Sequence, residues 1–430
     1  MNTRARRAMA AVALAAVALS ACTASSGSVT PAPTAAAQRG SVDSLSAVTT
    51  IGKAAMAKGL FGKVITGLGG APQCAVKVYA IVYSTVGVKG EPANASAAFF
   101  VPQPPCKGPF PLVGYAHGTN PVREQLITQP STTSATWTAP DQDPIVVAAV
   151  FAAHGYAVAA TDYLGLGLST YPYHPYLHAD SEATAVVDSL RAARLAAGKL
   201  HVPLSGKVFL TGHSQGGQSA VASQRAIEAQ AGNEFDLRGD APSSGPYALT
   251  HTFEDSLRKQ SQDAPILAAY IIPGYQKIYG NVYADPTSVF QMPYAATIDT
   301  LLPVQTYADE ALLYGKTLPL ELNRLLQPSF VHTFLTDPSS PVRRDTHAND
   351  LLGGWLPKAP VWLCGGDRDP EVEFKNARAA FTYFHRNGVK VTLTDVNFLI
   401  PAYVPLKDYH VVVALFCLPL ARTEFFDKLK

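Results

Sequence analysis

Gly212-His213-Ser214-Gln215-Gly216-Gly217 is the segment of this chain best suited to chemistry. A nucleophile at the tip of a sharp strand-to-helix turn needs small residues on both sides, because its backbone is strained and its neighbours crowd it; hence the pattern G-x-S-x-G. Val208-Phe209-Leu210-Thr211 precedes it as a buried strand, and an alanine-rich helix follows. The turn also sets Ser214 near a helix N-terminus, where backbone N–H groups favour developing negative charge. The plainer alternative is a glycine-rich turn with a solvent-facing serine, and the flanking strand and helix argue against it.

A serine hydroxyl is a poor nucleophile unless a base takes its proton, and the base needs an orienting carboxylate. Asp367, Asp369 and Glu371 sit together after the strand-like run Val361 to Cys364. Of the eleven histidines, His410 lies beyond the last strand and immediately before the final apolar helix. His385 falls inside a predicted helix, while His332 and His347 precede the acids in chain order; these read as structural or surface residues. The backbone N–H of Gln215, directly after Ser214, is one candidate donor to an oxyanion. No cluster of His, Cys or acidic residues has metal-ligand spacing and no phosphate-cradling loop occurs, so neither metal nor cofactor is expected.

The elements that must position these residues alternate. A hairpin is predicted from Lys77 to Thr85 and Ala95 to Val101. Apolar strands follow at Phe110 to Ala116, Tyr156 to Thr161 and Lys207 to Thr211. Helices are expected at Ile145 to Ala153, at Ser181 to Ala197 with Gly198 closing it, and at Gln215 to about Gln230. Apolar strands separated by helices point to a mostly parallel sheet covered on both faces. From Tyr247 to Leu356 the rhythm breaks into helix-like segments, among them Ile266 to Tyr279 and Tyr307 to Leu325, which read as a helical cap inserted before the strand that leads to the acids. The alternation resumes with a strand at Val361 to Cys364, a helix at Glu373 to Asn387, a strand at Val389 to Val396 and a helix at Val411 to Lys428. The expected organisation is residues 1–22 signal, 23–44 tether, 45–246 first part of the core, 247–356 cap and 357–430 second part of the core.

Arg4, Arg6 and Arg7 followed by Ala8 to Ala18 read as a secretion signal, with an apolar stretch too short to span a bilayer. It ends in Leu19-Ser20-Ala21-Cys22, which resembles a bacterial lipobox, so Cys22 is expected to be acylated and to anchor the protein on the outer side of a membrane. An ordinary cleaved signal peptide, giving a secreted protein, is the alternative. Thr23 to Gln38 is rich in Ala, Ser, Thr and Pro and is expected to be a flexible tether. No later run of some 18 to 20 uninterrupted apolar residues is evident, so a soluble body is expected. The net charge of +2 implies no nucleic-acid partner. Of the five cysteines, Cys74 and Cys106 bracket the hairpin and are expected to pair, which leaves Cys364 for Cys417; buried free thiols are the alternative.

These residues together resemble an α/β-hydrolase. Within that superfamily the chain is similar to the secretory lipases, the family of fungal lipase A-type enzymes and bacterial relatives, through Thr161-Asp162-Tyr163-Leu164-Gly165-Leu166-Gly167, the helix Ala183 to Ala197, Gly212 to Gly217 and the insertion before Asp369. The resemblance implies an α/β-hydrolase fold, and in that fold the chain order is Ser, then Asp or Glu, then His. Gly366-Asp367-Arg368-Asp369-Pro370-Glu371-Val372 fits the G-x-x-D-x-x-V pattern of such enzymes, which selects Asp369 over Asp367 and Glu371 and completes a triad of Ser214, Asp369 and His410. Tyr115-Ala116-His117-Gly118-Thr119 resembles the HG-x element of lipases, which implies the Thr119 N–H as the second oxyanion donor and its hydroxyl as a further contact. Asp162 to Gly167 resembles a turn with a structural role. The implied activity is hydrolysis of small-molecule or lipid carboxylic esters through an acyl-enzyme. A serine peptidase or amidase, an acyltransferase, and a non-catalytic surface lipoprotein are the rival readings; the last should have lost a triad member, and none is missing.

Overall fold

The computed structural model describes residues 38–124, 127–128, 143–230, 233–259 and 263–430. The expected signal, Cys22 and the tether as far as residue 37 lie outside the described residues. Near the other end of that tether Arg39 pairs with buried Asp188 at 3.0 Å, and a strand begins at Val42. Residues 42–44 are therefore sheet rather than linker.

The described strands form a nine-stranded sheet in the order β1-β2-β3-β5-β4-β6-β7-β8-β9. β1 (Val42–Ile51), β2 (Val76–Val86) and β3 (Pro92–Pro102) run antiparallel in sequence, and β3 pairs antiparallel with β5 (Ala157–Tyr163). Beyond it β4 (Phe110–Ala116), β6 (Leu204–His213), β7 (Asp236–Ser243), β8 (Val361–Gly365) and β9 (Val391–Asp395) are parallel. Register brings Ala116 beside Gly212 and His213 beside Ser243, so β4, β6 and β7 end together where chemistry is expected.

Strand alternation divides the core into two layers. Val113, Tyr115, Val158 and Phe209 pack with α1 (Gly59–Gly69), α2 (Asp143–Val150) and the C-terminal helix α10 (Leu406–Leu420). Leu112, Ala159 and Leu210 face the other way, onto α3 (Ala179–Lys199) and α4 (Gln215–Gln230). The alanines of α3, with Gly114 on β4, let that helix lie close: a Cβ at Gly114 would meet the Leu210 and Leu190 methyls at 3.0 and 3.3 Å. α9 (Phe374–Arg386) packs Phe374, Ala380 and Phe384 against Val361 and Leu363 of β8. The sheet is thus covered on both faces, as the alternating pattern implies.

Between β7 and β8 the chain is mainly helical, with α5 (Leu249–Lys259), α6 (Ala264–Tyr279), α7 (Pro328–Thr336) and α8 (Pro341–Ala348). Its apolar residues, among them Phe253, Tyr270, Ile272, Tyr275, Phe290 and Leu325, form a cluster of their own that also takes in Tyr176 and Leu177.

Several expectations are corrected. The predicted helix Tyr307 to Leu325 is two short ones, Tyr307–Leu313 and Leu322–Leu325, the first opened by a Thr306/Asp309 capping box. Gly198 does not close α3, which continues to Lys199; the left-handed position falls to His201, at φ 54°. The last helix starts at Leu406, so His410 lies inside it rather than before it. Its continuation, Leu406–Leu429, is long and apolar enough to cross a membrane by length and composition, but 67% of its apolar 18-residue window is buried within the fold. Both expected disulfides are present, Cys74–Cys106 and Cys364–Cys417, each with Cα atoms 5.8 Å apart.

Candidate active site

Ser214 stands between the end of β6 and the start of α4 with φ at 59°, a left-handed conformation that non-glycine residues rarely adopt. The glycines around it are required by close approach. A Cβ at Gly212 would lie 2.3 Å from the Gly216 carbonyl oxygen, and one at Gly216 would lie 1.9 Å from that of Ala116. The turn is held from outside, because the Ser214 N–H donates to the Ser243 carbonyl at 2.9 Å.

Three separate parts of the chain meet at this turn. The loop after β8 brings Asp369, α10 brings His410, and the loop after β4 brings His117, Gly118 and Thr119. Asp369 and His410 are both buried, and His410 Nδ1 bonds Asp369 Oδ2 at 2.8 Å. The other carboxylate oxygen accepts the N–H groups of Glu371 and Val372 at 3.0 and 3.2 Å, so the acid is held by backbone as well as by the imidazole. Burial works against ionisation of Asp369, yet the His410 charge and hydrogen bond outweigh it and hold the carboxyl below its ordinary range. For His410 burial likewise opposes charge, and Asp369 and Glu371 overcome it, raising the imidazole to about 9. Its Nε2 is buried without a hydrogen-bond partner among the described residues. The His213 ring lies against it, centroids 4.6 Å apart, and is kept neutral chiefly by burial.

Asp367, the competing acid, points away and pairs with Arg378 at 3.0 Å on the surface. Glu371 is brought to the site, but on the other side of the imidazole, with Oε2 3.9 Å from Nε2. His347 pairs with Asp350 at the surface, and His385 stacks on Phe381.

A cavity of about 620 Å³ opens here, lined by Gly118, Thr119, Ser214, Gln215 and His410 together. A Cβ added to Gly118 would come within 3.7 Å of the Ser214 Cβ, so the loop after β4 runs directly over the serine. The main-chain N–H groups of Thr119 and Gln215 find no acceptor among the described residues. The Thr119 hydroxyl, expected as a further contact to substrate, is instead bonded to the Tyr176 hydroxyl at 2.7 Å.

Beneath the serine lies a buried network that sequence reasoning missed. Glu182 on α3 accepts from Gln215 Nε2 at 2.6 Å, from the Leu177 N–H at 2.8 Å and from Ser219 Oγ at 2.5 Å. His174 Nδ1 donates to the Leu164 carbonyl, and Nε2 accepts from Gln215 Nε2 at 2.7 Å. The Tyr163 hydroxyl donates to the His117 carbonyl at 3.0 Å and touches Ser219. One network thereby steadies both loops that carry the expected oxyanion donors. Its only signal in the sequence is an acidic residue set in the apolar face of an alanine-rich helix. Asp162 accepts from Ser96 Oγ and the Ile127 N–H, which agrees with a structural role for its turn.

Known proteins share this arrangement of chain. A family model described as secretory lipase matches residues 129–279. The rice cell wall degrading esterase LipA of Xanthomonas oryzae is 36% identical, superposes with a TM-score of 0.80, and the match covers 91% of this chain and 100% of that one. Two more distant structures share the fold. A hydrolase of Legionella pneumophila is 23% identical over 90% of this chain and 98% of that one, with a TM-score of 0.76. Candida antarctica lipase A is 16% identical over 83% and 76%, with a TM-score of 0.57. No curated protein matches the chain. Family match, near-complete coverage at 36% identity and the nine-stranded sheet agree: this chain is an ester hydrolase that belongs to the secretory lipase family of the α/β-hydrolase superfamily.

Proposed function

We propose that the chain hydrolyses carboxylic esters by two-step acyl transfer on Ser214. The observation that carries this reading is the strained Ser214 turn opening into the same cavity as a buried His410–Asp369 pair. His410, oriented by Asp369, takes the serine proton as Ser214 attacks the ester carbonyl. The N–H groups of Gln215 and Thr119 receive the oxyanion, in a site where removal of one such donor costs about 3–4 kcal/mol of transition-state stabilisation. His410 then gives its proton to the departing alcohol, and a water repeats the sequence in reverse to release the acid. The helical segment 247–356 serves as the cap: its Asp263, Ile266, Leu267 and Tyr314 line the cavity opposite the catalytic loops. The N-terminal signal with Cys22 gives an exported, lipid-anchored enzyme, in keeping with a secretory family.

The test is hydrolysis of p-nitrophenyl esters from acetate to palmitate by the full chain and by Ser214→Ala. Turnover by the wild type and a loss of about a thousandfold or more in the variant is expected. Comparable rates from the two proteins would exclude Ser214 as the nucleophile. If neither acts on any ester while a fluorophosphonate labels Ser214, the same machinery serves amide hydrolysis or acyl transfer.

A further inference from the structure

His410 has a carboxylate on each side. Asp369 Oδ2 holds Nδ1 at 2.8 Å, and Glu371 Oε2 stands 3.9 Å from Nε2, the nitrogen that must exchange the proton with Ser214. Nε2 makes no other contact of hydrogen-bonding kind among the described residues, and Glu371 lines the cavity with it. Behind Glu371 stands Asp263, the N-cap residue of α6, with its carboxyl within hydrogen-bonding reach.

We propose that Glu371, backed by Asp263 from the cap, is a positioning residue for the base: it sets the protonation of His410 through space and stabilises the imidazolium that forms when Ser214 is deprotonated. This rests on the Ser214–His410 reading above. The remaining groups around the pair are accounted for. His213 packs on the imidazole from the serine turn, Lys407 and Asp408 line the cavity from His410's own helix, and Tyr176, Tyr314 and Glu310 line it around Glu371. Burial raises the Glu371 carboxyl, and the Asp263 and Asp369 charges add to that, while the His410 charge opposes it.

The consequence has a definite sign. The base works only when neutral, so kcat/KM rises with pH through the His410 pKa. An anion beside Nε2 moves that rise to higher pH and, above it, helps the transition state by stabilising the imidazolium. Glu371→Gln removes both effects. Its profile should cross that of the wild type, with the midpoint of the acid limb lower by about one unit or more and a lower alkaline plateau. Asp263→Asn removes a negative charge that acts on His410 more weakly than Glu371 does, and should move the midpoint less than Glu371→Gln.

The experiment is kcat/KM for p-nitrophenyl acetate from about pH 5 to about pH 10, with the full chain, Glu371→Gln, Asp263→Asn and Ser214→Ala. A midpoint lowered by about one unit or more in Glu371→Gln, and moved less in Asp263→Asn, supports the proposal. An active Glu371→Gln whose midpoint has not moved overturns it, since a structural role lowers the whole profile in place. If Glu371→Gln does not fold, Glu371→Ala is measured in its place, and an unmoved midpoint in that variant overturns the proposal equally. Hydrolysis retained by Ser214→Ala, in contrast, removes the reading on which the inference rests.

Discussion

Cys364 and Cys417, with Cα atoms 5.8 Å apart, join the strand that precedes Asp369 to the helix that carries His410. Cys364 is the next-to-last residue of its strand and lies five residues before Asp369 in the numbering, and Cys417 lies about two turns beyond His410. The bond between Asp369 and His410 depends on these two elements staying in place. The disulfide therefore clamps the candidate acid to the candidate base from behind.

The two disulfides should accordingly differ in what they protect. Each closes a loop, of 53 residues for Cys364–Cys417 and 32 for Cys74–Cys106, and chain entropy gives roughly 4 kcal/mol for either. Cys74→Ala with Cys106→Ala should lower Tm while leaving kcat near its wild-type value at low temperature. Cys364→Ala with Cys417→Ala should lower Tm and kcat together, because it loosens the Asp369–His410 geometry. Equal kcat in the two double variants at matched folded fraction would count against the clamp.

Two glycines near Ser214 should separate folding from catalysis. Alanine at Gly216 puts a Cβ 1.9 Å from the Ala116 carbonyl oxygen, an overlap that only backbone movement relieves. Gly216→Ala should lose at least a few kcal/mol and with them most of the folded protein. Alanine at Gly118 meets nothing closer than 3.4 Å. Gly118→Ala should keep its Tm within a few degrees and lose activity on bulky esters first, since the new methyl stands against Ser214. Circular-dichroism melting of both variants, followed by ester hydrolysis of whichever folds, decides the matter. A stable Gly216→Ala would contradict the packing described here.

Much of this fold is legible in the sequence, and the exceptions share physical causes. Phe110–Ala116 is a strand over the very residues expected, because a wholly buried parallel strand is a continuous apolar run. β1 escaped notice because its residues Ser44, Ser46, Thr49 and Thr50 give a weak alternation on a mostly exposed edge strand. β7 escaped because Asp236-Leu237-Arg238-Gly239-Asp240-Ala241-Pro242-Ser243 reads as a loop, although Asp240 to Ser243 is buried between β6 and β8. His410 was found from chain order, but its place inside α10 was not, since Lys407, Asp408 and Tyr409 hide the start of an otherwise apolar helix. Asp369 needed a motif to distinguish it from Asp367; in space the two are unmistakable, one bonded to His410 and the other to Arg378. Glu182 interrupts the apolar face of an alanine-rich helix and Glu371 sits among other acids in a loop, but neither pattern says what the side chain meets. Their placement follows from tertiary contacts that sequence spacing does not encode.

Glu182 should give the enzyme a measurable pH dependence of stability. Burial raises its carboxyl to about 7 against the opposing hydrogen bonds from Ser219, Gln215 and the Leu177 amide. A group whose folded pKa lies above its unfolded value is bound more tightly to its proton in the folded state. Its contribution is fully present below the ordinary glutamate range and is lost as pH rises toward about 7. Glu182→Gln removes that dependence. Relative to the wild type, the variant should gain Tm steadily between about pH 4.5 and about pH 7. Its kcat should stay within about tenfold of the wild type, because the amide oxygen can still accept from Gln215 and from the Leu177 N–H, as one carboxylate oxygen does now. Parallel Tm curves for the two proteins across that range would show that Glu182 is not the titrating group.

Asp369→Asn tests the orientation of the base without emptying the site. The carboxylate accepts from Nδ1 of His410 through one oxygen and from two backbone N–H groups through the other. An amide can keep the two backbone bonds through its oxygen, and its NH₂ then faces Nδ1. That arrangement favours the tautomer with the proton on Nε2, which cannot accept the serine proton. The wild-type carboxylate favours the productive tautomer and supports the imidazolium, so the change should lower kcat by a factor on the order of 10³ to 10⁴. The pH profile should change as well. Without the Asp369 charge the acid limb moves below its wild-type position, as it does for Glu371→Gln, but here the plateau collapses rather than declining modestly. Retention of Tm alongside that collapse is the expected result. A plateau within tenfold of the wild type would mean that another carboxylate orients His410, and Glu371 would then be the one to remove next.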